Sequence, residues 1–252
     1  MLLGLITSYS FAGCSRTLRV FVWEWRPYSF VDAQGKMTGI DNDFFSAVAK
    51  EAGCKVTFAN VPGRRALEMF KAGDLDVITG FSRTAERADF ANYTRPYRDE
   101  VISVFGKVGS AKPEDVQTYA DIIRLHLHLV APLAGYFGQG LIDAEKDLVE
   151  NKALTRTESL AQGLRMIEVG HGELVLGDDM VVQDTQRSLG LAPLQRMQLE
   201  ANRDKVYFGL SKASTTAADL RSIDEAVGVI LSRGLLQKLT TKYGLRELNS
   251  PN

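Results

Sequence analysis

The chain has 252 residues, 45% hydrophobic and 24% charged, with a formal net charge of −1. This is an ordinary globular composition, and the length suits one large domain or two of about 100 to 150 residues. It carries no basic run and no RNA-binding aromatic signature, so nothing points to nucleic acid as a partner.

The first fourteen residues, MLLGLITSYSFAGC, contain no charge. They read as the apolar part of a secretory signal and are too short to span a bilayer. The alternative is a buried apolar strand or helix. Phe11-Ala12-Gly13-Cys14 resembles the cleavage box of bacterial lipoproteins, in which Cys14 would carry the lipid. The other cysteine, Cys54, sits at a strand entry in EAGCKVTF. There it reads as a small buried apolar thiol, with a Cys14–Cys54 disulfide open on parity alone. Two cysteines make neither a disulfide scaffold nor a zinc site.

TLRVFVW (17–23) reads as a strand, and DAQGK in the following stretch as a hairpin tip. From Asp41 the apolar residues fall at 44, 45, 48 and 49, which is helical spacing. Asp41 or Asn42 is the expected cap and Gly53 the expected end. CKVTFANV is a second strand, RRALEMFKAG a second helix closed by Gly73, and LDVITG a third strand. The first 80 residues thus read β-α-β-α-β, the order of an α/β domain with a largely parallel sheet.

EVISVFGKV (100–108) is the next strand, followed by a polar stretch. LHLHLVAP then reads as a strand, GYFGQGLIDAEKDLVEN and SLAQGLRMIEVG as helices, and GELVLGDD as a strand. DKVYFGLSK (204–212) is a further strand, and two helices close the chain. The expected division is 1–15 as a signal remnant, 16–107 plus 206–252 as one lobe and 108–205 as the other. The chain would change lobe near 107–112 and 200–206.

In such sheets ligands bind beyond the carboxyl ends of the strands. One such end is TGFSRTAERADF, residues 79–90. If Ser82 or Thr84 caps a helix there, Arg87 falls in its first turn. A cation is disfavoured at that end of the helix dipole by a few tenths to about 1 kcal/mol. The arrangement suggests an anion, either a ligand or simply Glu86 or Asp89. Another strand end carries Asp178 and Asp179, which would suit the cationic end of a zwitterion. His126 and His128 at i and i+2 on a strand, with His171, are a weak candidate metal set.

Several segments in order carry a family resemblance: LRV, RPYSF, GKMTGIDNDFFSAVAKEAG, KAGDLDVITGFSRTAERADFANYTRPY and RGLLQKLTTKYG. From about residue 17 to 246 the chain resembles the bacterial extracellular solute-binding proteins of the polar amino-acid type, family 3, the receptors of ABC transporters. The resemblance implies a two-lobe periplasmic-binding-protein fold of type II. Each lobe is a central sheet flanked by helices, joined by two hinge strands, and the lobes close over a ligand. It implies Arg87, in Thr84-x-x-Arg87, as the carboxylate anchor, with Thr79, Gly80 and Ser82 completing the cradle. A guanidinium fork suits a carboxylate. It implies Asp178 as the ammonium partner, with Asp179 beside it as the lesser candidate. Trp25, with Tyr28 behind it, is the aromatic wall, and Gly135 and Tyr136 lie in a second-lobe loop at a helix N-terminus.

Some positions depart from the family pattern. Gly135-Tyr136 stands where Gly-Thr is usual, which removes a hydroxyl. Gly63 replaces a bulky residue and widens the pocket within reach of Arg64 or Arg65, which suits an acidic or larger solute. The implied function is a monomeric, exported receptor that hands an amino acid or related carboxylate to a membrane permease, with no cofactor and no catalysis. The alternatives are a cyclohexadienyl-dehydratase-like lyase, with Glu24 or Glu173 as acid/base, and a sensing module for a signalling partner.

Overall fold

A computed structural model describes residues 13–244. Residues 1–12, which hold most of the apolar leader and the first half of the lipoprotein-like box, lie outside the described residues. The chain forms two compact units. The first contains residues up to Trp23, Val31–Tyr97 and Tyr207 onward; the second contains Glu24–Phe30 and Arg98–Val206.

In the first unit β1 (Leu18–Val22) runs parallel to β4 (Val56–Asn60) and to β5 (Val77–Ser82). Between β1 and β4 lie a two-stranded hairpin, β2 (Phe30–Val31) and β3 (Met37–Thr38), and the helix α1 (Ile40–Glu51). The expected tip forms because Asp32 Oδ1 accepts from the backbone N–H groups of Gln34 and Lys36. Helix α1 starts two residues earlier than an Asp41 cap would allow. Its N-cap is Gly39, while Asn42 turns its side-chain amide back to the Thr38 carbonyl. The second helix, α2 (Gly63–Ala72), ends on left-handed Gly73 as its sequence predicts. A short turn of helix, α3 (Ala85–Ala88), and β6 (Ala91–Tyr93) follow β5.

The chain then enters the second unit on β7 (Arg98–Lys107). This is ten residues before the expected change near 107–112. The reason is pairing: all of β7 from Ile102 to Gly106 lies antiparallel to β10 (Leu174–Asp178), a second-unit strand. The polar stretch after β7 forms α4 (Tyr119–Arg124), fixed by a capping box between Thr118 and Asp121. Only Leu129–Pro132 of LHLHLVAP is a strand, β8. Leu125 closes α4 and His126 has a positive φ of 55°, so His126 and His128 do not share a strand face. Next come α5 (Gln139–Glu150), the short strand β9 (Leu154–Thr157), α6 (Leu160–Glu168), and α7 (Asp179–Leu189) after β10. Strand β9 has no alternating apolar signature, and it forms because its backbone pairs with β8 in parallel.

Strand β11 (Leu194–Ser211) is eighteen residues long and returns to the first unit between Val206 and Tyr207. Its early part pairs with β7 and its last residues with β6. Helices α8 (Ala217–Ser232) and α9 (Leu235–Lys242) complete the first unit. The second unit's sheet runs β11-β7-β10-β8-β9.

Each unit has its own core. In the first, Phe208 stacks on Tyr97 at 4.2 Å and meets Phe45 edge-on at 4.7 Å. In the second, Ile102, Val104, Leu129, Leu174 and Leu176 form the centre, with Trp25 and Phe137 against it. Burying each such side chain is worth about 1.5–3 kcal/mol.

The N-terminal residues are tied down twice. Cys14 is disulfide-bonded to Cys54, 40 residues on, and Ser15 binds both carboxylate oxygens of Asp219 at 2.7 Å. Cys54 is therefore not the free thiol expected from its strand-entry position. A Cys14 sulfur held in this bond is not available for a thioether-linked lipid. In the chain-entropy account a loop of this length stabilises by about 4 kcal/mol. A Cys14→Ser/Cys54→Ser double variant is therefore expected to unfold at clearly lower urea than the oxidised protein. Equal midpoints would show that the bridge constrains little.

Candidate functional site

In the first unit the candidate residues gather at the end of β5. Gly80 has φ +61°, a conformation that favours glycine, and its N–H donates to the Tyr97 hydroxyl at 2.8 Å. Thr79 is 2% exposed, and its hydroxyl has no hydrogen-bond partner among the described residues. After Ser82 the chain turns into α3. Thr84 caps that turn, accepting from the Arg87 backbone N–H at 3.2 Å. The Arg87 guanidinium folds back: Nη1 donates to the Ser82 carbonyl at 3.1 Å, and its carbon lies 4.4 Å from the centre of the Phe81 ring. Thr79, Gly80 and Ser82 thus lie on β5, which runs on past Thr79 to Ser82, and Arg87 lies in the turn that follows it.

Tyr93 on β6 was not singled out from sequence. Burial raises its hydroxyl above the usual phenol range, while Arg87 and Arg83 oppose the rise. The Arg83 guanidinium lies 5.6 Å from its ring. The prior signal was an aromatic five residues before the next strand, which is too general to single out.

In the second unit Glu24–Phe30 is a tight strap. Trp25 and Ser29 exchange backbone hydrogen bonds at 2.7 and 3.1 Å. Trp25 is half-buried with its ring 6.4 Å from Phe137. Tyr28 is buried beneath the Arg98 guanidinium at 3.6 Å, and Arg26 pairs with Asp184 at 3.5 Å. Gly135 has φ +135°, and a Cβ there would come within 2.7 Å of the Phe137 ring. Tyr136 is half-buried in the same loop, which leads through Gly138 to the N-terminus of α5. No side chain caps that helix.

Asp178 ends β10 at 1% exposure and caps α7. Its Oδ1 accepts from the N–H groups of Met180 and Val181 at 2.9 and 3.0 Å. Burial pushes its carboxyl up to about 6, against the lowering effects of Arg98 and of these two N–H donors. Asp179 faces different partners, Arg196 at 3.1 Å and Ser103, and burial raises its carboxyl too.

The residues read as acid/base or metal candidates are engaged differently. Glu24 is exposed. Glu173 accepts from the His128 N–H at 2.8 Å, and the His128 ring bonds the Lys152 carbonyl and the Thr155 hydroxyl. Among the described residues no group of three or more His, Cys, Asp or Glu is placed to hold a metal ion. Gly63 is the first residue of α2, and Arg65 is exposed.

A family model described as bacterial extracellular solute-binding proteins, family 3, matches residues 18–246. A "Probable histidine-binding protein" of Neisseria gonorrhoeae is 22% identical over 230 residues, covering 89% of this chain and 81% of that protein. "ABC transporter arginine-binding protein 1" of Escherichia coli K12 is 24% identical, covering 86% of both. A solved histidine kinase sensor domain described as similar to periplasmic binding proteins superposes with a TM-score of 0.76 at 19% identity. It covers 90% of this chain and 96% of that one. These likenesses establish a periplasmic-binding-protein-like fold of mixed α/β type.

The folded Asp178 binds its proton more tightly than an unfolded aspartate would. Its contribution to stability is present below pH 3.8 and is lost as pH rises through about 6. The loss above that range is on the order of 3 kcal/mol. Asp178→Asn keeps a side chain able to cap α7 and removes the titration. Urea melts are expected to show wild type losing more stability than the variant between pH 4 and 7.5. Parallel losses would show that Asp178 is not so desolvated.

Proposed function

The chain belongs to the bacterial extracellular solute-binding proteins, family 3, and from that membership we propose that it is an exported receptor for an amino acid or related carboxylate, serving an ABC permease. The observation that carries the reading is the family match together with Arg87 folded at its Thr84-x-x-Arg87 position. The histidine and arginine named in its relatives support an amino-acid solute. The fold alone does not separate transport from sensing, since a kinase sensor domain shares it. The sequence relatives favour transport.

In this reading Arg87 takes a carboxylate through its planar fork, with Gly80, Ser82 and Thr79 beside it. The bond from Arg87 to Ser82 and its stacking on Phe81 hold the guanidinium in place before the solute arrives. Asp178 takes an ammonium or other cationic group. A carboxylate already stripped of water binds a cation with less further desolvation. Trp25 and the Gly135-Tyr136 loop supply apolar and backbone contacts. The protein makes and breaks no covalent bond in the solute.

A thermal-shift panel of the twenty amino acids, polyamines, dicarboxylates and prephenate on the oxidised protein tests this. A solute at about 100 times its dissociation constant adds roughly 2.7 kcal/mol of stability. Stabilisation by one amino acid is expected, with Arg87→Ala weakening it by about 2 kcal/mol or more, some thirtyfold. No shift with any amino acid would remove the amino-acid assignment.

A further inference from the structure

The second unit contains a buried guanidinium that the proposed carboxylate and ammonium contacts do not use. Arg98 opens β7 with its side chain 7% exposed. It lies 3.6 Å from the centre of the Tyr28 ring and 3.9 Å from the Glu100 carboxylate, itself 8% exposed. A guanidinium between a ring face and a carboxylate is held in one plane and keeps its charge at any ordinary pH.

Strand register relates this group to Asp178. Side chains alternate along a strand, so Arg98, Glu100 and Ile102 lie on one face of β7. Ile102 is paired directly opposite Asp178 across the antiparallel β7–β10 ladder. Directly opposed residues share a face. Arg98, Glu100 and Asp178 therefore belong to one sheet face. One guanidinium among two carboxylates leaves an excess of negative charge when all are ionised, and a cationic group complements it.

We propose that Arg98 is a positioning residue for Asp178: fixed by Tyr28 and Glu100 on the sheet face the two share, it supplies the charge that lets Asp178 present an ionised carboxylate to a cationic group of the solute. The inference rests on the reading that Asp178 receives that group. Desolvation of Asp178 is opposed first by Arg98, ahead of the two capping N–H groups. The other charged groups around it are Asp179 on α7, with Arg196 and Glu200 of β11 acting on Asp179, and the Arg26–Asp184 pair between the strap and α7. A lysine would carry the charge but not the stacked fork, and a methionine would carry neither.

The test is the titration of the Asp178 carboxyl carbon, followed by NMR in carbon-labelled, solute-free protein, with Asp178→Asn identifying the resonance. Removing an opposite charge that acts on a buried carboxyl raises its midpoint, by about one to three pH units where the two groups are close. Arg98→Met is expected to move the midpoint up by at least about one pH unit, and Arg98→Lys to restore it toward wild type. An unmoved midpoint in folded Arg98→Met overturns the proposal. A role confined to packing would lower stability and leave the midpoint in place. If Arg98→Met does not fold, Tyr28→Leu decides by the same readout. An upward shift with Tyr28→Leu supports the clamp, and no shift overturns it.

A second arm uses L-arginine as the probe in calorimetry from pH 6 to 9. Arg98→Met is expected to bind it more weakly at pH 7, about twofold if the midpoint rises by one unit and about tenfold if it rises by two, and to recover toward pH 9. Weakening that does not recover at high pH overturns the proposal. If wild type binds no L-arginine or other amino acid, the amino-acid reading fails, and the carboxyl titration still decides the role of Arg98.

Discussion

A carboxylate buried at 1% exposure is the constraint around which the second unit is arranged. Asp178 stands where β10 stops and α7 begins, so its backbone is fixed by a strand ladder on one side and a helix on the other. Two N–H groups of the first helical turn satisfy one oxygen. The guanidinium of Arg98 answers part of the charge, and Tyr28 and Glu100 hold that guanidinium. The strap that carries Tyr28 is fixed in turn through Arg26 to Asp184 and through Trp25 to Phe137. Replacing such a carboxylate by an amide would relieve desolvation, so stability alone does not explain an acid here. The proposed binding role would account for it, because a cationic solute gains most from a carboxylate that water no longer covers.

The first unit solves the opposite problem. Arg87 occupies the first turn of α3, where the helix dipole disfavours a cation. The turn is only four residues long, which limits that cost, and Thr84 holds the Arg87 N–H. The guanidinium leaves the turn altogether and settles on the Ser82 carbonyl and the Phe81 ring. Backbone and side chain of one residue thus serve different ends: the backbone closes the turn, and the side chain presents a fork at the end of β5.

Much of this was legible in the chain. Helical periodicity with glycine stops gave α2, and the capping pattern around Thr84 gave α3. Thr79, Gly80, Ser82 and Arg87 could be placed at one strand end because neighbours in sequence stay neighbours after a short turn. Other features were not legible. LHLHLVAP alternates like a strand, yet most of its first half closes α4, because the Thr118–Asp121 capping box starts a helix just before it. Strand β9 lacks any pattern of its own and exists through its pairing with β8.

The sequence by itself determined the α/β class, the strand-end positions of Arg87 and Asp178, and the family motifs, all of which depend on residues close together along the chain. Only the tertiary structure decided that Cys14 bonds Cys54, that the chain changes unit at Tyr97–Arg98, and that Arg98 shares a face with Asp178. Those facts depend on strand register and on contacts across 40 residues or more. Local propensity carries no record of which distant backbone a strand will pair with, and a shift of one residue in register would have put Arg98 on the opposite face.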